Sequence, residues 1–531
     1  MRVVASALQA LRRFRLSEMY DIAVLGSGFA GSLLAMIARR LGRSVVLIEK
    51  GTHPRVVIGE SSTPLSNLLL EELTTRYGLT ELRPLAKWGS WQRAYPDIAC
   101  GLKRGFTFHH HVLGASLSAD PERQDQLLVA ASPRDEIADT HWYRADFDHL
   151  LVREAQRLGV EYVDRVTLRR LRGGGTAITL EGERDGRQTQ FHAKFAVDAT
   201  GPRGFLHRAL GLRELELPGY PRTQGLYSHF SGVSRLDGTA YSRVDERPPF
   251  PIDDAAVHHV FDGGWIWMLQ FNNGVTSAGV AATDDLATRL RFSEGAEAWE
   301  RVLELIPGLK EQFAHSRASR SFVHMPRLAF RSSDMAGQRW ALLPSAAGFV
   351  DPLLSTGIPL TLLGVSRLAE IMEADWGTAR FGERLQSYAS QTDRELMATA
   401  RLIGALYANM SNFPVFVALT MLYFAAASFS ETARRLGKPQ LAQGFLLCDD
   451  PAFEPACVRL IERSRRPLSA EQSGELINDI REAIEPINVA GLGRSERRNW
   501  YPVYAEDLIN GAEKLRANTE DISQLLRRCG F

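Results

Sequence analysis

The sequence predicts an α/β fold: a parallel sheet wrapped by helices, with an antiparallel sheet inserted into it and a helical region at the C-terminal end. Three observations carry this. An apolar strand, Ile22-Ala23-Val24-Leu25, runs into Gly26-Ser27-Gly28-Phe29-Ala30-Gly31 and a helix-like segment, and the next strand, Ser44 to Ile48, ends on an acid, Glu49. From about Leu215 to Phe330 the pattern changes to alternating strands, such as Val257 to Phe261, Trp265 to Phe271 and Thr276 to Val280, turned by Asn272-Asn273-Gly274. From about Phe381 onward only helical periodicity is found, with polar, charged connections and no internal repeat.

The opening unit is a dinucleotide site. One glycine serves the tight turn, one lets bare backbone approach a pyrophosphate, and one allows close packing of helix on strand. Gly26, Gly28 and Gly31, with Phe29 and Ala30 between them, hold those positions, and Glu49, followed by Lys50, is placed to accept ribose hydroxyls. A lone GxGxxG is a weak pattern. Here strand, glycines, helix, the Gly42 stop and the acid after the second strand agree.

Further along, Pro64 to Tyr77 reads as a helix, and Trp88 to His111 as strands and loops rich in aromatic and histidine residues. Arg144-Ala145-Asp146-Phe147-Asp148 leads into a helix that closes at Gly159. Val166 to Leu180 and Thr189 to Val197 read as strands, with Asp198-Ala199-Thr200-Gly201 directly after them. Trp340 to Leu343 reads as a further strand of the nucleotide sheet, before a Gly/Pro/Ser loop at Gly348 to Gly357 and a helix. The expected partition is an N-terminal extension (1–19), a nucleotide-binding part (20–214), a substrate sheet (215–330), a return segment (331–380) and a C-terminal helical region (381–531).

A chain of 531 residues, 45% apolar, can bury a large core. Lys+Arg (63) and Asp+Glu (62) leave a net charge of +1, and no basic stripe interleaves with aromatics, so nucleic acid is not an expected partner. Four scattered cysteines without a CxxC pair exclude a zinc site or disulfide scaffold of the usual spacing and fit a reducing cytoplasm. The basic N-terminal segment lacks the apolar stretch and cleavage site of a secretory signal. Phe413 to Phe429, interrupted by Pro414, Thr420 and Ser428, falls short of the roughly 20 apolar residues of a membrane span and reads as a buried helix. Histidines 109, 110, 111, 258 and 259 are tandem in strands, where neighbours face opposite ways, so no metal site is expected.

Four separate motifs, in order, resemble those of the FAD-dependent halogenases, within the wider flavin monooxygenase and geranylgeranyl reductase superfamily. Gly59-Glu60-Ser61-Ser62-Thr63-Pro64 is similar to the GE(S/A)xxP segment near the flavin, and Asp198 to Gly204, with Thr200 and Gly201, resembles the second FAD motif. Gly264-Trp265-Ile266-Trp267 resembles the start of WxWxIP, and Asp351-Pro352-Leu353-Leu354-Ser355-Thr356-Gly357 resembles the loop that caps the isoalloxazine. The resemblance, from about Tyr20 to Glu370, implies a Rossmann-like, glutathione-reductase-type FAD fold. It also implies a reaction in which FADH2 and O2 oxidise chloride or bromide and a lysine carries the oxidised halogen to a distant substrate. Ser355, Thr356, Gly357 and Ile358 open a helix whose N–H groups would stabilise charge on the ring. Arg144 would neutralise part of the cofactor or anchor the loop.

Lysine suits the relay, because burial brings its pKa toward neutrality, giving either an ammonium donor or a free amine. Lys87 follows Glu60 at about the family's interval, with Trp88 and Trp91 expected to line an aromatic channel; Lys103 in Gly101-Leu102-Lys103-Arg104-Gly105 is the rival. Phe108, Trp265 and Trp267 are the expected substrate walls. The chain departs from the family at Met268-Leu269-Gln270, where isoleucine and proline are missing. It departs also at Leu354, where tryptophan halogenases carry a glutamate, and at Pro344-Ser345-Ala346 in place of GDA. Free tryptophan is therefore not the expected substrate; an aromatic or apolar small molecule, peptide or carrier-bound group is. A second GxGxxG for NAD(P)H is missing, which implies a separate flavin reductase. The competing readings are a hydroxylase that ignores halide, a reductase of prenyl or acyl chains that turns over without oxygen, and a scaffold that has lost its flavin.

Overall fold

The computed structural model describes residues 19–115, 120, 122–238 and 247–530; the expected N-terminal extension lies outside the described residues up to its last position, Met19. In chain order the elements that build the site begin with β1 (Met19–Leu25), α1 (Phe29–Arg40), β2 (Val45–Ile48), α2 (Pro64–Arg76) and α3 (Trp88–Ala94). Next come β3 (Cys100–Lys103), β4 (Gly105–His111), β5 (Gln126–Ala130), β6 (Asp139–Trp142), α4 (Arg144–Arg157) and β7 (Glu161–Val163). The long hairpins β8 (Val166–Gly174), β9 (Ala177–Arg184) and β10 (Arg187–Asp198) are followed by β11 (Thr223–Ser231), β12 (Ala256–Phe261), β13 (Gly264–Gln270) and β14 (Val275–Thr283). Then follow β15 (Trp340–Leu342), α5 (Gly357–Ala374), α6 (Arg380–Ala408), α7 (Phe413–Arg435) and β16 (Trp500–Tyr501).

The nucleotide sheet runs β15-β10-β1-β2-β7, every neighbouring pair parallel. Its central strand explains itself: Ile22, Ala23, Val24 and Leu25 are all fully buried, the mark of a strand covered on both faces by helices. Strands β8 and β9 extend β10 as an antiparallel ribbon.

The second sheet differs from expectation. Strands β11, β14, β13 and β12 form the antiparallel meander, but β12 pairs parallel with β4, β4 antiparallel with β5, and β5 parallel with β16. The sheet is thus mixed, and it draws strands from before residue 215 and from the C-terminal region. Local periodicity reports which face of a strand is buried, not which distant strand it pairs with. Strand β13 shows the consequence of period two: Trp265, Trp267 and Leu269 join the main core, while Ile266 and Met268 face a second cluster around Trp299 and Phe230.

Two shorter differences follow. Trp88 to Ala94 is a helix rather than strand or loop, because Trp91 turns inward to stack on Phe147 with ring centroids 5.4 Å apart. The C-terminal region is helical except for β16. Helix α7 is the only described helix long and apolar enough to cross a membrane, and 83% of its most apolar window is buried inside the protein. It packs against α2 and against the β4 aromatics Phe106 and Phe108.

Candidate active site

The turn after β1 and the start of α5 face one another across a crevice of about 490 Å3. The turn is fixed by contact. Gly26 has φ 93°, and a Cβ there would lie 2.7 Å from the Ala199 carbonyl; a Cβ on Gly31 would lie 2.0 Å from the carbonyl oxygen of Gly26. Only bare backbone brings β1, α1 and the Asp198 loop this close.

Neither α1 nor α5 has a side-chain cap at its N-terminus. Both helices therefore present free N–H groups and the positive ends of their dipoles to the crevice. Ahead of α5, Leu354 and Ser355 stand in succession at φ 63° and 54°. Two left-handed non-glycine residues in a row carry strain, and here the strain turns the chain so that Pro352, Ser355, Gly357 and Ile358 line the wall.

Of the residues expected at the cofactor, the structure brings Gly28, Phe29, Ala30, Glu60, Ser61, Arg144, Thr200 and Gly201 to the same crevice, with Trp265 and Trp267 on its sheet side. Arg144 donates to both oxygens of Asp148 at 2.8 Å and to the carbonyls of Ile58 and Gly59, and its guanidinium lies 5.0 Å from the Phe29 ring. Glu60 is buried and paired at 2.8 Å with His229 on β11, which ties the crevice floor to the second sheet.

Other expected residues act from behind the wall. Asp198 accepts from the Thr200 N–H and hydroxyl and from the Leu206 N–H, which shapes the loop carrying Thr200 and Gly201. Glu49 accepts from the Ser27 N–H and hydroxyl and the Gly51 N–H, with Arg55 at 3.4 Å between it and the crevice. Burial works against its charge, but Arg55 and those donors hold its pKa below the ordinary carboxylate value. Lys50 points to solvent. Ser62 donates to the Thr140 carbonyl, Thr63 caps α2, and Thr356 is buried beneath the start of α5.

Asp351 also turns away from the crevice. It accepts from Tyr220, Tyr407 and Trp265, and burial, only partly offset by these donors, raises its pKa to about 6. With so many donors already engaged, it holds the capping loop to the second sheet rather than offering a carboxylate to a ligand.

The expected relay lysine is displaced. Lys87 caps the outer end of α3 and pairs with Glu71 at 3.6 Å, both side chains about a quarter exposed, and it does not line the crevice. Trp91 donates to the Ile98 carbonyl from within the core, and Phe108 stacks on His258 at 4.5 Å; neither they nor Trp88 lines the crevice. Lys103 is the lysine at the site. Fully buried on β3, it donates to the Ser62 carbonyl at 2.6 Å and the Ser61 hydroxyl at 2.8 Å, reaches Ser355 Oγ at 3.5 Å, and lies 3.9 Å from the Phe106 ring centroid. Burial pushes its pKa down to about 7, against the opposing pull of Asp139.

On the far side of Lys103 lies a second cavity of about 170 Å3. Phe106, Tyr423, Phe424, Val489 and Tyr501 give it an apolar, aromatic wall, and Glu431 is the one charged residue among the described lining. Ser61 and Ser355 line the crevice, whereas Thr63 and Phe106 line the cavity; Lys103 lines neither chamber but contacts both walls, through Ser61 and Ser355 on one side and Phe106 on the other. The part of the cavity wall contributed by α7 and residues 489–526 carries none of the sequence motifs.

The comparisons with known proteins agree with this geometry. Residues 21–334 match the family described as FAD dependent oxidoreductase. The chain belongs to that family. It is 28% identical over 423 residues to tetracycline 7-halogenase of Kitasatospora aureofaciens, covering 77% of this chain and 73% of the relative. It is 30% identical over 386 residues to monodechloroaminopyrrolnitrin halogenase PrnC of Pseudomonas fluorescens, covering 70% and 65%. The crystal structure of halogenase PltM in complex with phloroglucinol and FAD superposes with a TM-score of 0.80 at 24% identity, covering 90% of this chain and 99% of PltM, which establishes a shared fold. The chain is thus an FAD-dependent enzyme. The residues present fit the cofactor: two uncapped helix N-termini face the crevice, the glycine turn opens it, and Arg144 and Thr200 stand in its wall.

Proposed function

We propose that this enzyme halogenates an aromatic or otherwise apolar substrate held in the smaller cavity, with reduced FAD in the crevice and Lys103 between them. One observation carries the reading: Lys103 Nζ is bonded to residues of the crevice wall and lies against Phe106 of the cavity wall. When bound, reduced FAD with O2 supplies the oxidation of chloride or bromide to hypohalous acid. The rest falls to side chains of this chain. The α1 N-terminus and Arg144 hold the dinucleotide, and the α5 N-terminus faces the ring. Lys103 is fully buried within the wall. With a pKa near neutrality it is available both as an ammonium that hydrogen-bonds hypohalous acid and as an amine that accepts its halogen. The aromatic wall beyond it orients an electron-rich ring, a proximity effect.

The names of the relatives support the substrate class. They act on tetracycline, on monodechloroaminopyrrolnitrin and, in the case of a brominase of Pseudoalteromonas luteoviolacea, on a pyrrole-2-carbonyl group on a peptidyl carrier protein. A separate flavin reductase supplies FADH2 in this reading, supported by the single glycine-rich strand-to-helix turn. Four free thiols, among them the buried Cys100, Cys448 and Cys457, support a reducing cytoplasm.

The test is turnover with FAD, a flavin reductase, O2 and a panel of phenols and pyrroles, in the presence and absence of chloride or bromide, with products read by mass. Halogenated product only when halide is present is expected. Oxygenated product that ignores halide assigns the hydroxylase reading instead, and turnover under argon assigns a reductase.

A further inference from the structure

We infer that Asp139 is the counter-charge of Lys103, a positioning residue that acts through the lysine by keeping its ammonium form populated inside a dry wall. The inference deepens the relay reading and rests on it. Lys103 and Asp139 are cross-strand partners in the β3–β6 ribbon, on the same side of it. Both are buried. Every hydrogen bond that Lys103 makes goes to an uncharged acceptor: Ser61, the Ser62 carbonyl and Ser355. A buried ammonium without an opposite charge gives up its proton, and Asp139 is the carboxylate set against this one.

Burial raises the pKa of Asp139 as well, and the Lys103 charge pulls it back down, so the charged form of each group depends on the other. Asn67 on α2 donates to its Oδ1 at 2.7 Å, whereas Oδ2 has no hydrogen-bond partner. No direct ion pair joins the two, so the influence is through space, and the ammonium hydrogens go to Ser61, the Ser62 carbonyl and Ser355. From α7, Glu431 opposes a charge on Asp139 and Arg435 favours it, but Arg435 is itself bonded to Glu431 at 2.7 Å. Tyr423 of α7 is also near, with its hydroxyl held neutral by burial and by Asp139. His141 on β6 and His258 on β12 also feel Lys103, and burial keeps both of them neutral. The ammonium of Lys103 thus leans on one carboxylate.

The test reads the lysine directly and needs no substrate. The chain has seven lysines, so the full protein, loaded with FAD and labelled with 13C at lysine Cε, gives a short set of NMR signals, and Lys103→Arg assigns the one of interest. Expected is a Lys103 titration whose midpoint falls by at least about one pH unit in Asp139→Asn and returns toward the wild-type value in Asp139→Glu. Asn67→Ala, which removes the donor that favours the Asp139 carboxylate, shifts the midpoint the same way by less. It serves as the second variant should Asp139→Asn fail to fold. A midpoint within about 0.3 units of wild type in the folded variants overturns the inference. The relay reading is judged separately: if Asp139→Asn moves the titration but Lys103→Met still halogenates, the charge coupling stands and the relay falls.

Discussion

Replacing Lys103 by Met removes the nitrogen and keeps most of the side-chain volume, so it separates chemistry from packing. Burial lowers the lysine pKa from 10.5 to about 7, so below neutrality the folded chain carries an ammonium at a desolvation cost relative to water. Met removes that cost and leaves the Ser62 carbonyl without its donor, a loss of about 1–3 kcal/mol. Met also removes the charge opposite Asp139, whose buried carboxyl then takes up a proton at pH 6, so the variant is expected to lie within about 3 kcal/mol of wild type there. The sign follows from linkage: between the folded value near 7 and the unfolded value near 10.5 the unfolded chain binds the extra proton, so the lysine's cost is full below 7 and relieved as pH rises. Catalysis goes the other way. Loss of the relay group lowers halogenated product by about 10²–10⁴-fold, while O2 consumption in the presence of reductase continues within about twofold. The assay pairs product mass with an oxygen electrode, and urea unfolding supplies the stability. Halogenation within about tenfold of wild type refutes the reasoning, and so does a variant less stable by more than about 3 kcal/mol.

Lys87→Ala removes a partly exposed pair with Glu71, so stability falls by less than about 1 kcal/mol and halogenation stays within twofold in the same assay. Gly31→Ala places a methyl group 2.0 Å from the Gly26 carbonyl, and the purified protein is expected to lose its flavin absorbance. Arg144→Leu strands the buried Asp148 carboxylate, which costs about 3–5 kcal/mol in urea unfolding and weakens FAD uptake. Burial lowers the pKa of His111 and His258 to about 3. Their neutral forms therefore contribute stability that is present above 6.5 and lost as pH falls toward 3; unfolding measured from pH 7 to 4 should show a steep loss, and a flat profile contradicts it.

The nucleotide half was legible because its signals are local. A glycine turn, an apolar strand and an acid at a fixed distance report a backbone geometry that only glycine permits, and those residues meet at one crevice. Which lysine approaches the crevice wall was not legible by interval. Lys87 and Lys103 both follow Glu60, and tertiary contacts that no local pattern announces separate them: Lys103 on β3 donates to the Ser61 hydroxyl and the Ser62 carbonyl. Lys87 sits beside Glu71 instead. The second cavity was hidden for another reason. Its wall combines β4 and β5 with α7 and a segment near residue 500, and β16 joins the sheet by parallel pairing with β5, a contact that no periodicity announces. Asp351 shows the limit of motif reading: residues of the motif line the crevice, while Tyr220, Tyr407 and Trp265 decide where its carboxylate points.

The central claim is that two chambers meet at Lys103. A crystal structure of the enzyme with FAD and a small phenol such as phloroglucinol tests it directly. The account predicts the isoalloxazine in the crevice beside Ser355 and Trp265 and the phenol in the cavity beside Phe106 and Phe424, with Lys103 Nζ between them. A phenol lying against the flavin ring within the crevice, on the same side of Lys103, contradicts it.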